Sequence, residues 1–359
     1  MQQSAPRKAE RQSNFELLRI VAMFCVVVYH AVCALDISFP AGEMSLDRFF
    51  FQLCYCAGDL GNSLFVLISG YFLVRSPFSL RRVLRLWAQT LFYSLLLGAL
   101  ALAAGWPLSR GNVWHMAAPV LSLSYWFITC YLVFCFFMPY LNRLFAALER
   151  RDFKRLLAVM FVCFSLLRTL VPGGFVPFTK FAMFFFLYSL AAYVRLYPDA
   201  VGAFDRPWRC FAAAAALVAL LLGYFALCFR FGGRFAFLRP DRFDHMATLP
   251  LLGLSLALFL GFRSLRMPRL RLVNAVGGAA FGVYLIHYSY AWREKLWEML
   301  LGALPAGGTP ALSLLLAALL VYAACALLDL ARRSALEPLY MRLIDRLPPV
   351  RREKGAGAR

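Results

Sequence analysis

A chain of 359 residues that is 62% hydrophobic and only 16% charged, with a mean hydropathy of +0.68, is too apolar for a water-soluble domain, where apolar residues make up about half. Its formal net charge of +20 would suit nucleic acid if the cations shared one face, but the arginines flank long apolar runs, as loops on the positive side of a membrane do. Composition therefore excludes a nucleic-acid partner and predicts an all-α polytopic protein whose first partner is the lipid bilayer.

In chain order, a short tail (1–14) precedes a membrane domain (15–331), and a basic tail (332–359) follows it. About ten transmembrane helices are expected, near 15–35, 58–74, 86–104, 119–140, 156–171, 181–197, 210–229, 246–262, 272–291 and 309–331. The first run is long and followed by many others, so it reads as a retained helix and not as a cleaved signal peptide. Residues 49–57 (FFFQLCYCA) are cut from the next run by Gly58, Asp59, Gly61 and Asn62, which predicts a segment lying flat at the outer interface.

With an inside N-terminus, inside segments hold 27 of the 38 Lys and Arg and outside segments hold 9. That bias predicts cytoplasmic N- and C-termini in a multi-pass protein of the inner or plasma membrane. The loop 230–245 resists it, with Arg230, Arg234, Arg239 and Arg242 on the expected outside. Most of the ten Cys fall in apolar runs, where Cys is a small hydrophobe, and no CxxC pair suggests a metal, so no metal site is expected.

Charge within a span is costly and marks function by default. The first run carries Glu16, Arg19 and His30. Arg19 and His30 are eleven residues apart, which on a helix leaves them within about 20° of one face and about 16 Å apart along the axis. Glu16, three residues before Arg19, is placed to pair with it. A stripe of this kind points to function, although His30 alone would read equally well as a structural His hydrogen-bonded between helices.

After the second run, SGYFLVRSPFSLRRVLR (69–85) brings Arg75, Arg81, Arg82 and Arg85 to the inner surface. Clustered guanidinium groups hold phosphates by bidentate bonds; by density alone, plain positive-inside anchoring is the favoured reading. His287 falls near the outer end of the ninth run, with Arg293, Glu294 and Lys295 just beyond. His115 and His245, in or beside outer loops, look incidental.

Five segments in matching order, NFELLRIVAMFCVVVYHAV (14–32), GNSLFVLISGYFLV (61–74), RRVLR (81–85), YWFITCYLVFCFFMPYLNRL (125–144) and FGVYLIHYSYAWREKLW (281–297), resemble acyltransferase family 3, bacterial integral membrane O-acyltransferases. Arg19 and His30 match the family's Arg and His in the first helix. Arg82 and Arg85 match its Arg-x-x-Arg, and Tyr284 with His287 a looser Tyr-x-x-His. The extra extracytoplasmic domain of many members has no counterpart, which suggests a standalone enzyme.

The resemblance implies transfer of an acetyl or other short acyl group from cytoplasmic acyl-CoA to a sugar hydroxyl of a cell-surface polysaccharide, a glycolipid or a lipid-linked precursor. Acyl-CoA is then a donor substrate and no cofactor is permanently bound. On that reading Arg82 and Arg85, with Arg81 and Arg75, meet the CoA phosphates. His30 serves as general base or transient acyl carrier. Arg19, held by Glu16, contacts the arm of the donor, orients the helix or stabilises developing charge. His287 is a looser candidate for substrate binding. The competing expectation is a transporter or flippase for a polyprenyl-linked sugar, which would share buried charge and a basic inner face.

Overall fold

The computed structural model describes residues 11–35, 37–40, 42–106, 109–171, 180–235, 237–302, 310–338 and 341–342. Among them the structure is helical, with no strand. The helices are α1 (Ser13–Cys33), α2 (Leu46–Leu73), α3 (Leu80–Ala103), α4 (Arg110–Ala117), α5 (Trp126–Ala147), α6 (Arg150–Phe161), α7 (Leu167–Leu170), α8 (Lys180–Leu196), α9 (Pro207–Phe231), α10 (Leu249–Ser264), α11 (Arg271–His287), α12 (Arg293–Gly302) and α13 (Pro310–Ala335). Their starts follow local chemistry. Ser45 and Ser79 cap α2 and α3 by accepting from the Arg48 and Arg82 N–H groups, and Pro207 opens α9, where its missing N–H costs nothing.

Every one of the ten expected runs falls on a helix, but the helices are unequal. Among the described residues six are long and apolar enough to cross a membrane: α1, α2, α3, α5, α9 and α13. A seventh results if α8 is joined to the turn Pro198–Phe204, into which it bends by 94°. The runs at 181–197, 246–262 and 272–291 form helices of 17, 16 and 17 residues, short of the roughly 20 that span a bilayer upright. The run at 156–171 is split by a π turn at Val162–Leu166.

The segment 49–57 does not lie flat as a separate piece: α2 runs unbroken through it to Leu73. The residues expected to break the helix instead serve its packing. Gly58 and Gly61 face α1, where a Cβ on Gly58 would come 2.5 Å from the Tyr29 ring and one on Gly61 would collide with the Ala22 carbonyl. Asp59 is neutralised by Lys180, whose Nζ donates to Oδ1 at 2.7 Å, and its Oδ2 accepts the Met246 N–H at 3.0 Å.

Helix α1 lies at the centre, packed against α2, α10, α11 and α13. Ser13 Oγ donates to Asn274 Oδ1 and accepts the Leu270 N–H, and Asn14 donates to the Phe262 carbonyl, so α1 is stitched at its start to α10 and α11. Helix α13 has two faces. Leu314, Ala317, Ala318, Val321, Cys325 and Asp329 face inward at helical spacing, while Leu312, Leu316, Leu319, Leu320, Leu327 and Leu328 are exposed, as a lipid-facing helix requires. The inward stripe ends in a charge that sequence reading passed over. Asp329 Oδ1 accepts from Arg332 Nε (2.8 Å), Tyr93 Oη (2.9 Å) and Gln89 Nε2 (3.2 Å), tying α13 to α3.

Two of the four arginines of the 230–245 loop are used internally. Arg239 forms a two-point pair with Asp241, and Arg242 donates to the Thr169 carbonyl at 3.2 Å.

Candidate active site

Two cavities lie along α1, one at each end. The first, about 340 Å³, is bordered by Arg11, Arg19 and Arg82 and walled by apolar groups including Met23, Phe65, Phe72 and Phe281. The second, about 300 Å³, is bordered by His30, Asp59, Lys180, Arg293 and Glu294 and by the rings of Tyr29, Trp126, Tyr288 and Trp297. Val26 of α1, Asn62 of α2 and Tyr284 of α11 line both cavities. The two therefore adjoin, with these three residues forming the waist between them. Val26 lies seven residues after Arg19 and four before His30, so all three share the face that the sequence spacing picked out.

At the first cavity, Glu16 is buried and Arg19 Nη1 donates to its Oε1 at 2.5 Å. Arg11 approaches the other carboxylate oxygen at 3.8 Å. The pair fits because residue 277 is glycine: a Cβ there would come 2.6 Å from the Glu16 carbonyl oxygen and 2.8 Å from Oε2. The expected Glu16–Arg19 pairing is thus present, and it leaves Arg19 on the cavity wall.

Of the four arginines in 75–85, the structure brings one to the cavity. Arg82 sits in the first turn of α3 and lines it. Arg85 points its Nε at Met341 Sδ (3.2 Å), Arg75 donates to the Arg195 carbonyl (3.4 Å), and neither lines either of these two cavities; nor does Arg81. A cation in the first turn of a helix opposes the dipole, and an anion bound between them relieves the conflict.

At the second cavity, His30 Nδ1 lies 2.9 Å from His287 Nε2, and His287 Nδ1 lies 2.6 Å from the Val283 carbonyl oxygen. A carbonyl only accepts, so His287 carries its proton on Nδ1. With both rings neutral, His287 Nε2 is then a lone pair that accepts from His30 Nδ1–H. His30 is left with Nε2 as its basic nitrogen, at a ring that lines the cavity. The Tyr288 ring stacks on His30 at 4.2 Å and holds its plane. His287, the looser candidate for substrate binding, is fully buried, lines neither cavity and stands behind His30.

Asp59, Asn62, Lys180 and Tyr288 were missed as site residues. The signal for Asp59 was present, an acid inside an apolar run, but the neighbouring glycines and Asn62 suggested a helix break instead. Near the Asp59 carboxylate, Asp244 is pushed up to about 6 by burial and then by the charges of Asp241 and Asp59, while burial pushes His245 down. His245 Nδ1 accepts the Ala247 N–H at 3.1 Å, a local turn contact. His115 stacks on Tyr290 at 4.1 Å.

A family model described as an acyltransferase domain (acyltransferase 3) matches residues 12–330, nearly the whole chain. The chain belongs to the acyltransferase 3 family. No curated protein and no solved structure matches it significantly. The acyltransferase thus carries two adjoining cavities, with Arg19 and Arg82 of the matched region on one and a histidine of fixed tautomer on the other. Its multi-pass membrane character follows from the apolar helices together with the family.

Proposed function

We propose that this acyltransferase takes an acyl group, acetyl or another short chain, from cytoplasmic acyl-CoA and delivers it to a hydroxyl of a cell-envelope glycan, glycolipid or lipid-linked sugar. The observation that carries the reading is the pair of cavities meeting at Val26, Asn62 and Tyr284. A polyanionic donor with a long arm suits the cavity bordered by Arg11, Arg19 and Arg82, and an acyl group at the end of that arm reaches the waist. Arg82 takes the CoA phosphates, supported from the surface by Arg85, Arg81 and Arg75, and Arg19, held by Glu16, takes polar groups of the arm.

The second cavity supports a sugar acceptor. Its rings offer flat apolar faces, and Asp59 and Glu294 offer acceptors for hydroxyl groups. His30 Nε2 acts as general base toward the acceptor hydroxyl, and a neutral imidazole suits that role. This topology needs the arginine end to face the cytoplasm of an inner or plasma membrane, in keeping with the Lys/Arg bias. The transporter alternative is set aside by membership of an acyltransferase family.

The test uses membranes containing the protein and radiolabelled acetyl-CoA, following free CoA and label in envelope glycans, with His30→Ala beside the parent. Label that depends on His30 is the expected result. No dependence of either product on the protein, with acetyl-CoA and then succinyl-CoA, would overturn the reading.

A further inference from the structure

Tyr284 occupies a position that packing alone does not account for. It belongs to α11, lines both cavities at the waist, and its hydroxyl is buried: the oxygen lies beside the Phe127 main-chain N–H, while the hydroxyl proton meets no acceptor among the described residues. Leaving such a group unsatisfied costs about 1–3 kcal/mol, and a phenylalanine at the same place would avoid the cost. Six other side-chain atoms share this condition among the described residues, on Glu16, Ser165, Arg195, Arg242, Arg263 and Tyr322. Of these seven residues Tyr284 is the one that borders the cavities. Asn62 of α2 also lines both cavities. Its place is fixed because Gly61 puts α2 in direct contact with α1.

We propose that the Tyr284 hydroxyl and the Asn62 amide are the two donors that hold the carbonyl oxygen of the acyl group while it is transferred. The inference rests on the acyl-transfer reading above and adds to it the groups that stabilise the intermediate. The acceptor hydroxyl gives its proton to His30 Nε2 while its oxygen bonds to the thioester carbon. The C=O π pair moves to the carbonyl oxygen, which becomes an alkoxide facing Tyr284 and Asn62. The alkoxide then re-forms the carbonyl as the C–S bond breaks, and the departing thiolate of CoA takes the proton from His30. Ester and free CoA thiol are the products, and His30 returns to its starting state. Donors aimed at a developing oxyanion in a dry site are among the largest contributors to catalysis, and a waist closed by Val26 on the third side is dry once an acyl group fills it.

The experiment measures initial rates of CoA release from acetyl-CoA by the full-length protein in native membranes, for the parent, Tyr284→Phe, Asn62→Ala and His30→Ala, with CoA binding measured on each as a check of folding. Loss of one such donor is expected to lower kcat about 10²-fold, with KM for acetyl-CoA and CoA affinity within about twofold of the parent. A kcat for Tyr284→Phe near the parent value, while His30→Ala is inactive, overturns the inference and leaves the acyltransferase reading intact. A raised KM with kcat unchanged also overturns it, because that is the mark of uniform binding or packing. If Tyr284→Phe fails to bind CoA, Asn62→Ala decides by the same criteria. Absence of protein-dependent CoA release in the parent, with acetyl-CoA and succinyl-CoA alike, overturns the underlying reading and the inference with it.

Discussion

Replacing His287 by Phe tests whether the fixed tautomer of His30 matters. The ring volume is kept at a position that is fully buried and lines neither cavity, so direct effects on either substrate are removed from consideration. What is lost is the acceptor 2.9 Å from His30 Nδ1 and the donor 2.6 Å from the Val283 carbonyl. A buried donor left without an acceptor costs about 1–3 kcal/mol. His30 recovers that energy by rotating or by moving its proton to Nε2, and either change removes the free base from the cavity. At about 1.4 kcal/mol per tenfold in rate, kcat should fall roughly 10- to 100-fold. KM for acetyl-CoA should not move. His287→Gln, which offers both an acceptor and a donor, should regain part of the loss. CoA release in membranes is the assay. A kcat for His287→Phe within twofold of the parent would refute the tautomer argument, and a tenfold rise in KM would assign His287 to binding instead.

Three further outcomes are expected. Asp329→Ala removes the buried carboxylate oxygen that accepts from Arg332, Tyr93 and Gln89 and leaves Arg332, which is 5% exposed, with Glu337 at 3.3 Å as its carboxylate partner; stability should drop by about 1–3 kcal/mol, read as earlier thermal unfolding in detergent, and an unchanged unfolding curve would contradict the pairing. Gly277→Ala should cost about 1–3 kcal/mol by overpacking and raise KM for acyl-CoA, because the new methyl group meets Glu16 and displaces Arg19; full stability with unchanged KM counts against the close contact. Asp244, held near 6 by burial and by Asp241 and Asp59, favours its proton more in the folded than in the unfolded chain. Its contribution therefore favours folding below about pH 4 and is lost as pH rises through 6. Asp244→Asn should raise the Tm at pH 7.5 and match the parent below pH 4, and equal Tm values at both pH values would argue against a perturbed carboxyl.

Much of the candidate site was readable because one helix carries its axis. The eleven-residue spacing of Arg19 and His30 already placed both on one face, and the structure sets them on the walls of two cavities that meet at Val26. The Glu16–Arg19 pair follows from the same periodicity. What periodicity does not give is the partner across a helix contact. His30 and His287 are 257 residues apart in sequence, and nothing local to either says that they touch. The arginines of 75–85 carry the same limit: charge density places them at a surface, but which guanidinium turns inward depends on the register of α3, set by the Ser79 cap and by the Asp329 cluster. The break expected at 58–63 failed for a clearer reason. Glycines were read for what they do to an isolated helix, whereas here each removes a methyl group that α1 would meet, and the acid beside them has a lysine from a distant segment.

The contact at Gly61 has a consequence for how the passage is set. There the main chains of α1 and α2 already touch, so their spacing has no room to shrink and no side chain between them to exchange. The bore of the waist is therefore adjustable through three side chains, Val26, Asn62 and Tyr284, while the frame around them stays constant. Descendants of this chain that come to carry a bulkier or smaller cargo would be expected to record the change at those positions before any helix moves.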